Sequence, residues 1–285
     1  MASAIQVSRP NMRRSGIFLR SVLLIYALVI LFPLLIVILP TFQSVQQSSQ
    51  GILSFPKQLN FSNYANAWEQ SHFLTAFRNS LIITGSTLIL NVVLGALASF
   101  PIGIRGHNRL FKSSFYVFIV GLMLPFQAVM IPLYHLMGRV LKLTNTLPGP
   151  IFVYLAMTLP LSIFFFTQFI RTIPPEIEEA SVLDGCSYFR MLWQIYFPLL
   201  RPITATIVIE NMIFLWNDFL VPLLLIDVDR LKPIMLTVYV FFGNYSNEWN
   251  LAFSVLVLSA LPFLLLFLVL QKQFIEGLSA GAVKG

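Results

Sequence analysis

Residues 148–198 read PGPIFVYLAMTLPLSIFFFTQFIRTIPPEIEEASVLDGCSYFRMLWQIYFP. The opening part, Pro148 to Ile170, is apolar and uncharged for long enough to cross a hydrocarbon layer, which takes about 20 residues. From Arg171 to Pro198 the character reverses: Glu176, Glu178, Glu179 and Asp184 crowd between a Pro174-Pro175 pair and Gly185. A lipid-spanning helix is therefore followed by a segment that has left the lipid. The proline pair stops one helix and opens another, whose first-turn carboxylates face its positive end. Gly185 breaks that helix. Phe189, Leu192, Trp193 and Tyr196 then recur at three- and four-residue spacing, which predicts a second short helix ending at Pro198. Taken alone, such a helix-turn-helix either docks on another protein or only solvates a loop.

The rest of the chain has the same grain. Of its 285 residues 57% are hydrophobic and 10% charged, with a mean hydropathy of +0.82. A soluble domain carries roughly 25% charge. An all-α integral membrane protein is expected, because the apolar runs lack the alternation of an outer-membrane barrel. Six transmembrane helices are predicted, over about 17–40, 74–104, 111–137, 148–170, 200–226 and 251–270. The first run is too long for the roughly 7 to 15 residues of a signal-peptide core and has no small-residue cleavage site after it, so it reads as a retained helix. Residues 41–73 form a polar outer loop with room for short interfacial helices. Pro33, Pro125, Pro132, Pro160, Pro222 and Pro262 fall inside apolar runs, where neighbouring helices or cavity water must satisfy the freed carbonyls.

Charge sets the orientation. Six spans put both termini on one side, and Lys and Arg count twelve on that side against six on the other. The positive-inside bias places the termini and residues 171–198 in the cytoplasm. The net charge of +7 is scattered at span ends rather than gathered on a face, so nucleic acid is not expected as a partner. The lone Cys186 and the separated His72, His107 and His135 exclude a disulfide and offer no metal-ligand spacing.

The wording of the polar segment is specific. Glu179-Ala180-Ser181, three residues, Gly185, nine residues, Ile195, one residue, then Phe197-Pro198 resembles the EAA loop of permease subunits in bacterial ATP-driven, binding-protein-dependent importers. Ser181 stands where that pattern has Ala, and Phe197 where it has Leu. The ending 271–285 and Trp216-Asn217-Asp218-Phe219 resemble the smaller permease subunit of maltose-type sugar importers. The resemblance implies a type I ABC importer permease of the bacterial inner membrane, its first helix (1–40) added to a five-helix core (74–270), with a cytoplasmic tail (271–285). It implies a second related permease, two ATPase subunits that hold ATP and Mg, and an external sugar-binding protein. No cofactor is expected on this chain, and no catalytic residue. In the family the EAA loop docks in a cleft of the ATPase. Glu178, Glu179, Ala180, Ser181, Asp184, Gly185, Ile195 and Pro198 would here be the coupling residues, with Glu179 an ion-pair partner and Gly185 the sharp turn. Gly281, Lys284 and Gly285 would reach the ATPase interface; read from the residues, that tail is a small, flexible terminus.

Two other stretches point outward from this loop. In the fifth span Glu210, Asn211, Asn217 and Asp218 fall at about 0°, 100°, −20° and 80°, with Phe214 at about 40° between them. Polar groups around one aromatic face suit a neutral sugar; bonds to a neighbouring helix would use the same residues. Gln127 and Ser254 are secondary cavity candidates. Gly243, Asn244, Tyr245, Ser246, Asn247 and Trp249 form an outer segment that either anchors at the interface or, by the resemblance, enters the opened binding protein.

Function follows as an expectation: a permease subunit importing a sugar, mono- or oligosaccharide, with glycerol phosphate or another polyol derivative as the alternative cargo. No span carries a mid-membrane Lys or Arg for a held anion, which favours a neutral cargo. An ATP-independent secondary transporter would show repeats or buried ion sites and would have no use for the EAA spacing. The Gly-x-x-x-x-Gly-Lys-Ser/Thr nucleotide loop is absent, so ATP hydrolysis is expected on another polypeptide.

Overall fold

The computed structural model of the chain describes residues 12–51, 53–106, 108–241, 248–262 and 264. Among these there is no strand. The helices are α1 (Met12–Ile38), α2 (Val45–Gln50), α3 (Ser62–Gln70), α4 (Phe73–Ile104), α5 (Arg109–Leu122), α6 (Phe126–His135), α7 (Pro148–Ile170), α8 (Pro175–Leu183), α9 (Tyr188–Met191), α10 (Phe197–Leu199), α11 (Arg201–Asn217), α12 (Leu220–Leu225) and α13 (Ile234–Thr237), followed by α14 (Trp249–Pro262). Residues Leu136–Val140 and Leu192–Tyr196 are π-turns.

Three helices are long and apolar enough to cross a membrane singly: Leu19–Phe42, Phe73–Ile104 and Pro148–Ile170. These match the expected first, second and fourth spans. The third departs from its expected continuous run, since Arg109–Leu122 and Phe126–Val140 meet at 98°; the 75° bend between Tyr188–Leu199 and Arg201–Asn217 falls at Leu200, where the fifth span is expected to begin. Pro125 explains the first break, since it cannot donate to the preceding turn and forces the residue before it away from helix. The fifth helix stops at Asn217, short of the expected 226, because Asp218 turns extended and caps α12. With each bent pair taken as one span the count is five, and α14 is a shorter apolar helix among the described residues.

The chain divides into two compact units, residues 1–67 with 241–257, and residues 68–240 with 258–285. In the first, the spanning window of α1 buries none of its residues, and Leu23, Leu24, Ile25 and Val29 are all exposed. That surface is stable only with hydrocarbon as its solvent. The segment after α1 is held by polar side chains: Asn63 Nδ2 donates to the carbonyls of Thr41 and Gln43, each at 2.8 Å, and Asn250 Nδ2 to Asn63 Oδ1 at 2.9 Å.

The second unit is built on α4 against α7. Small residues make the close approach possible, as they do wherever membrane helices lack a hydrophobic driving force. A Cβ on Gly95 would meet the Phe166 ring at 3.2 Å, and one on Gly103 would strike Ile170. Polar residues knit the same faces: Asn91 Nδ2 donates to Thr158 Oγ1 at 2.8 Å, and Ser99 Oγ to the Ile163 carbonyl at 3.2 Å. One apolar cluster surrounds Tyr154, Leu215, Val221 and Leu225, and a second surrounds Phe100, Phe166, Met191 and Leu200.

Gly103→Ala should therefore lower stability by about 1–3 kcal/mol through overpacking. Ile170→Ala in the same chain should recover part of that loss. Thermal unfolding of the two single variants and the double variant in detergent checks the coupling.

Candidate functional site

The polar segment folds as the expected helix-turn-helix. Pro175 begins α8, with Glu176 and Glu178 in its first turn. Three hydrogen bonds close its end: Asp184 N to the Ala180 carbonyl at 3.0 Å, Gly185 N to Val182 at 3.0 Å, and Cys186 N to Ser181 at 2.9 Å. Gly185 has φ of 69°, with nothing within 4 Å of where a Cβ would stand. The turn thus requires glycine for its left-handed backbone, not for space. Ser187 then caps the next helix by accepting from Arg190 N at 3.3 Å. This helix runs past the expected stop, through Pro198 to Leu199. The π-turn at Leu192–Tyr196 accompanies that continuation, because a proline at 198 cannot donate to the carbonyl one turn back.

Both departures from the EAA pattern fit this geometry. Ser181 is buried, and its hydroxyl donates to the Ile177 carbonyl at 2.6 Å, so the extra oxygen relative to alanine has a partner. The Phe197 ring packs on Trp193 with centroids 4.9 Å apart.

The segment has two sides with opposite character. Outward stand Glu179, Ala180, Asp184 and Gly185, with Leu183 88% and Phe189 69% exposed. Acidic and bare apolar side chains on one tip are the composition of a docking surface. Among the described residues, neither Glu178, Glu179 nor Asp184 forms an ion pair. On the inner side Met191, Leu192, Tyr196 and Leu200 are buried against Phe100, Phe166, Ile170 and Ile207 of α4, α7 and α11. Tyr196 meets Phe100 edge to face at 5.0 Å. Burial, and after it the Glu178 carboxylate, push the Tyr196 hydroxyl above its usual range and keep it neutral. Ile195 is half-buried in the same cluster, while Pro198 is exposed at the corner before α11.

The polar arc of the fifth helix divides in two. Glu210, Phe214 and Asn217, spaced i, i+4 and i+7, share one exposed face. Asn217 Nδ2 turns back to the Ile213 carbonyl at 2.8 Å. The other two residues are structural: Asn211 Nδ2 donates to Ser162 Oγ at 3.3 Å, and Asp218 Oδ2 accepts from Tyr154 at 2.8 Å and from Val221 N at 2.9 Å. Phe214 meets that side through an edge-on contact with Tyr154, centroids 6.3 Å apart. Gln127 is exposed on α6; Ser254 is buried and donates to the Asn250 carbonyl at 2.7 Å.

Sequence reading missed Tyr154, Thr158 and Ser162, the α7 partners of this network. Their spacing of four within an apolar run was the available signal. In the outer segment Trp249 stacks on Phe253 at 5.8 Å. Gly243, Asn244, Tyr245, Ser246 and Asn247 lie outside the described residues, as do Gly281, Lys284 and Gly285.

A family model described as binding-protein-dependent transport system inner membrane component matches residues 91–279. The melibiose/raffinose/stachyose import permease protein MelC of Bacillus subtilis (strain 168) is 37% identical over 232 residues, 81% of this chain and 83% of that one. The probable starch degradation products transport system permease protein AmyC of Thermoanaerobacterium thermosulfurigenes is 31% identical over 261 residues, 92% of this chain and 94% of its own. A chain from the crystal structure of a bacterial ABC transporter involved in the import of the acidic polysaccharide alginate shares the fold. It has a TM-score of 0.78 and 21% identity, covering 94% of this chain and 99% of that one.

Gly185→Val should destabilise the turn by about 1–2 kcal/mol, the cost of holding an L side chain in the left-handed region, whereas Gly185→Asn should cost less. Unfolding midpoints of the two variants, compared under one detergent condition, measure the difference.

Proposed function

The chain belongs to the family of binding-protein-dependent transport system inner membrane components, and on that premise we propose that it is one of two permease subunits in an ATP-driven sugar importer. Its cargo is a mono- or oligosaccharide handed over by an external binding protein. ATP is hydrolysed on separate subunits bound beneath it. The relatives named for melibiose, raffinose, stachyose and starch products support a saccharide cargo.

One observation carries the coupling role: an exposed acidic and apolar tip is continuous with an underside buried among three membrane helices. In the cytoplasm, α8 and the helix after it sit in a cleft of the ATPase, with Glu179 paired to a basic residue there. Closure of the ATPase around ATP pushes the tip, and the packed underside carries α4, α7 and α11 with it. A rigid element of this kind turns the pathway from inward to outward access. The positive-inside count supports placing both termini and the tip on the cytoplasmic side.

Glu210, Phe214 and Asn217 supply this subunit's side of the sugar path. A ring edge and face for C–H groups, flanked by a carboxylate and an amide, match the amphipathic surface of a pyranose. Asn211 and Asp218 hold the helix rather than the sugar.

Two measurements on the importer reconstituted with its ATPase and binding protein test this reading. Glu179→Arg should reduce sugar uptake by about tenfold or more, equivalent to about 1.4 kcal/mol of lost docking, and unchanged uptake refutes the coupling assignment. Phe214→Ala should reduce uptake while ATP hydrolysis stimulated by the binding protein continues; parallel loss of both would place Phe214 in assembly rather than in the path.

A further inference from the structure

Between the last turns of α4 and the start of the helix that begins at Tyr188 lies a groove of about 320 Å³. Its walls are apolar, with Leu97, Phe100, Pro101 and Ile104 on one side and Phe189 and Leu192 on the other. At its end the Arg105 guanidinium lies 4.4 Å from the centroid of the Tyr188 ring. The lining holds one cation and no carboxylate. Arg105 is exposed and makes no ion pair among the described residues.

The groove is not isolated on the surface. Leu90, Leu94 and Leu97 are each 38% exposed and, at i, i+4 and i+7, form one apolar track along α4 that runs into it. From Leu94 to Arg105 the helix rises about 16 Å, close to the depth of one leaflet of hydrocarbon, half of about 30 Å. An apolar channel one leaflet deep that ends on a single guanidinium has the shape and polarity of one lipid molecule. We propose that this groove binds an anionic phospholipid, the acyl chain on the Leu94–Leu97–Pro101 track and the phosphate on Arg105. Arginine suits the headgroup because its fork pairs two phosphate oxygens while its face remains stacked on Tyr188. A zwitterionic lipid would meet the same walls without net attraction at the mouth, so the site discriminates by headgroup charge. The bound lipid would sit between a spanning helix and the docking element.

Lipid retention tests this without reference to transport. The full chain is placed in nanodiscs of equal phosphatidylglycerol and phosphatidylcholine with matched acyl chains, and retained lipid is counted by native mass spectrometry. The wild-type chain should keep phosphatidylglycerol preferentially. Arg105→Gln should reduce that preference about fivefold and leave phosphatidylcholine retention unchanged, while Arg105→Lys keeps most of it. Leu97→Trp, which fills the groove, should reduce retention of both lipids. Equal retention of the two lipids by the wild-type chain, a preference unaltered in Arg105→Gln, or total lipid retention unaltered in Leu97→Trp overturns the proposal.

Discussion

In the proposed importer α8 and the helix after it act as a lever, which moves a load only where its attachment is stiffer than the motion it drives; here that attachment is a patch of buried side chains. Met191, Tyr196 and Leu200 are buried at the corner where the docking element meets the fifth helix. They pack on Phe100, Phe166 and Ile207, one from each of three membrane helices. Close-packed interiors resist gradual deformation and respond by shifting as bodies. The acidic tip would be decoration without this underside. With it, a displacement of the docking element would reach three membrane helices through packed side chains.

The bilayer imposes the second requirement, that polar groups inside it find partners within the protein. The seam from Asn91 through Thr158 and Ser162 to Asn211 meets it in large part, joining α4 to α7 and α7 to α11 side chain to side chain, while Asn91 Oδ1 has no partner among the described residues. Such bonds average only about 0.6 kcal/mol in membrane proteins, so their larger effect is on register: sliding one helix past another would strand several polar groups at once. The three helices that receive the docking element are thus the three locked by this seam. Asp218 does a related task at the end of α11, where one carboxylate oxygen takes both the Tyr154 hydroxyl and the Val221 N–H in the first turn of α12.

Much of this architecture is legible in the sequence because it rests on local rules. Length and hydropathy locate α1, α4 and α7, and Pro174-Pro175 and Gly185 place the ends of α8 within a residue. What escaped reading is non-local. A proline inside an apolar run can kink, break or leave a helix intact according to its neighbours, so Pro125 breaks its helix by 98° while Pro101 and Pro160 remain inside helices. Helical angle alone placed Asn211 and Asp218 beside Glu210 and Phe214. The position of α7 decides which side of α11 is occupied, and only Tyr154 and Ser162, far away in sequence, reveal it.

The same division bears on the proposal that one chain is half of a pathway. A sugar's hydroxyls need donors and acceptors around its rim, yet Glu210, Phe214 and Asn217 occupy one stripe of one helix, facing away from the rest of their unit. The broken third span leaves Met123 78% and Leu124 63% exposed beside backbone that has left the helix. Irregular backbone at membrane depth is tolerated where protein or a cavity covers it, not against lipid. Among the described residues the polar stripe has no opposite wall and the helix break no cover, and in the proposed importer both would be completed by one addition, a second permease packed on this one. In the proposed importer the pathway is then the space between two such stripes, and the seam that buries Asn211 and Asp218 leaves the remaining polar residues of α11 turned toward it.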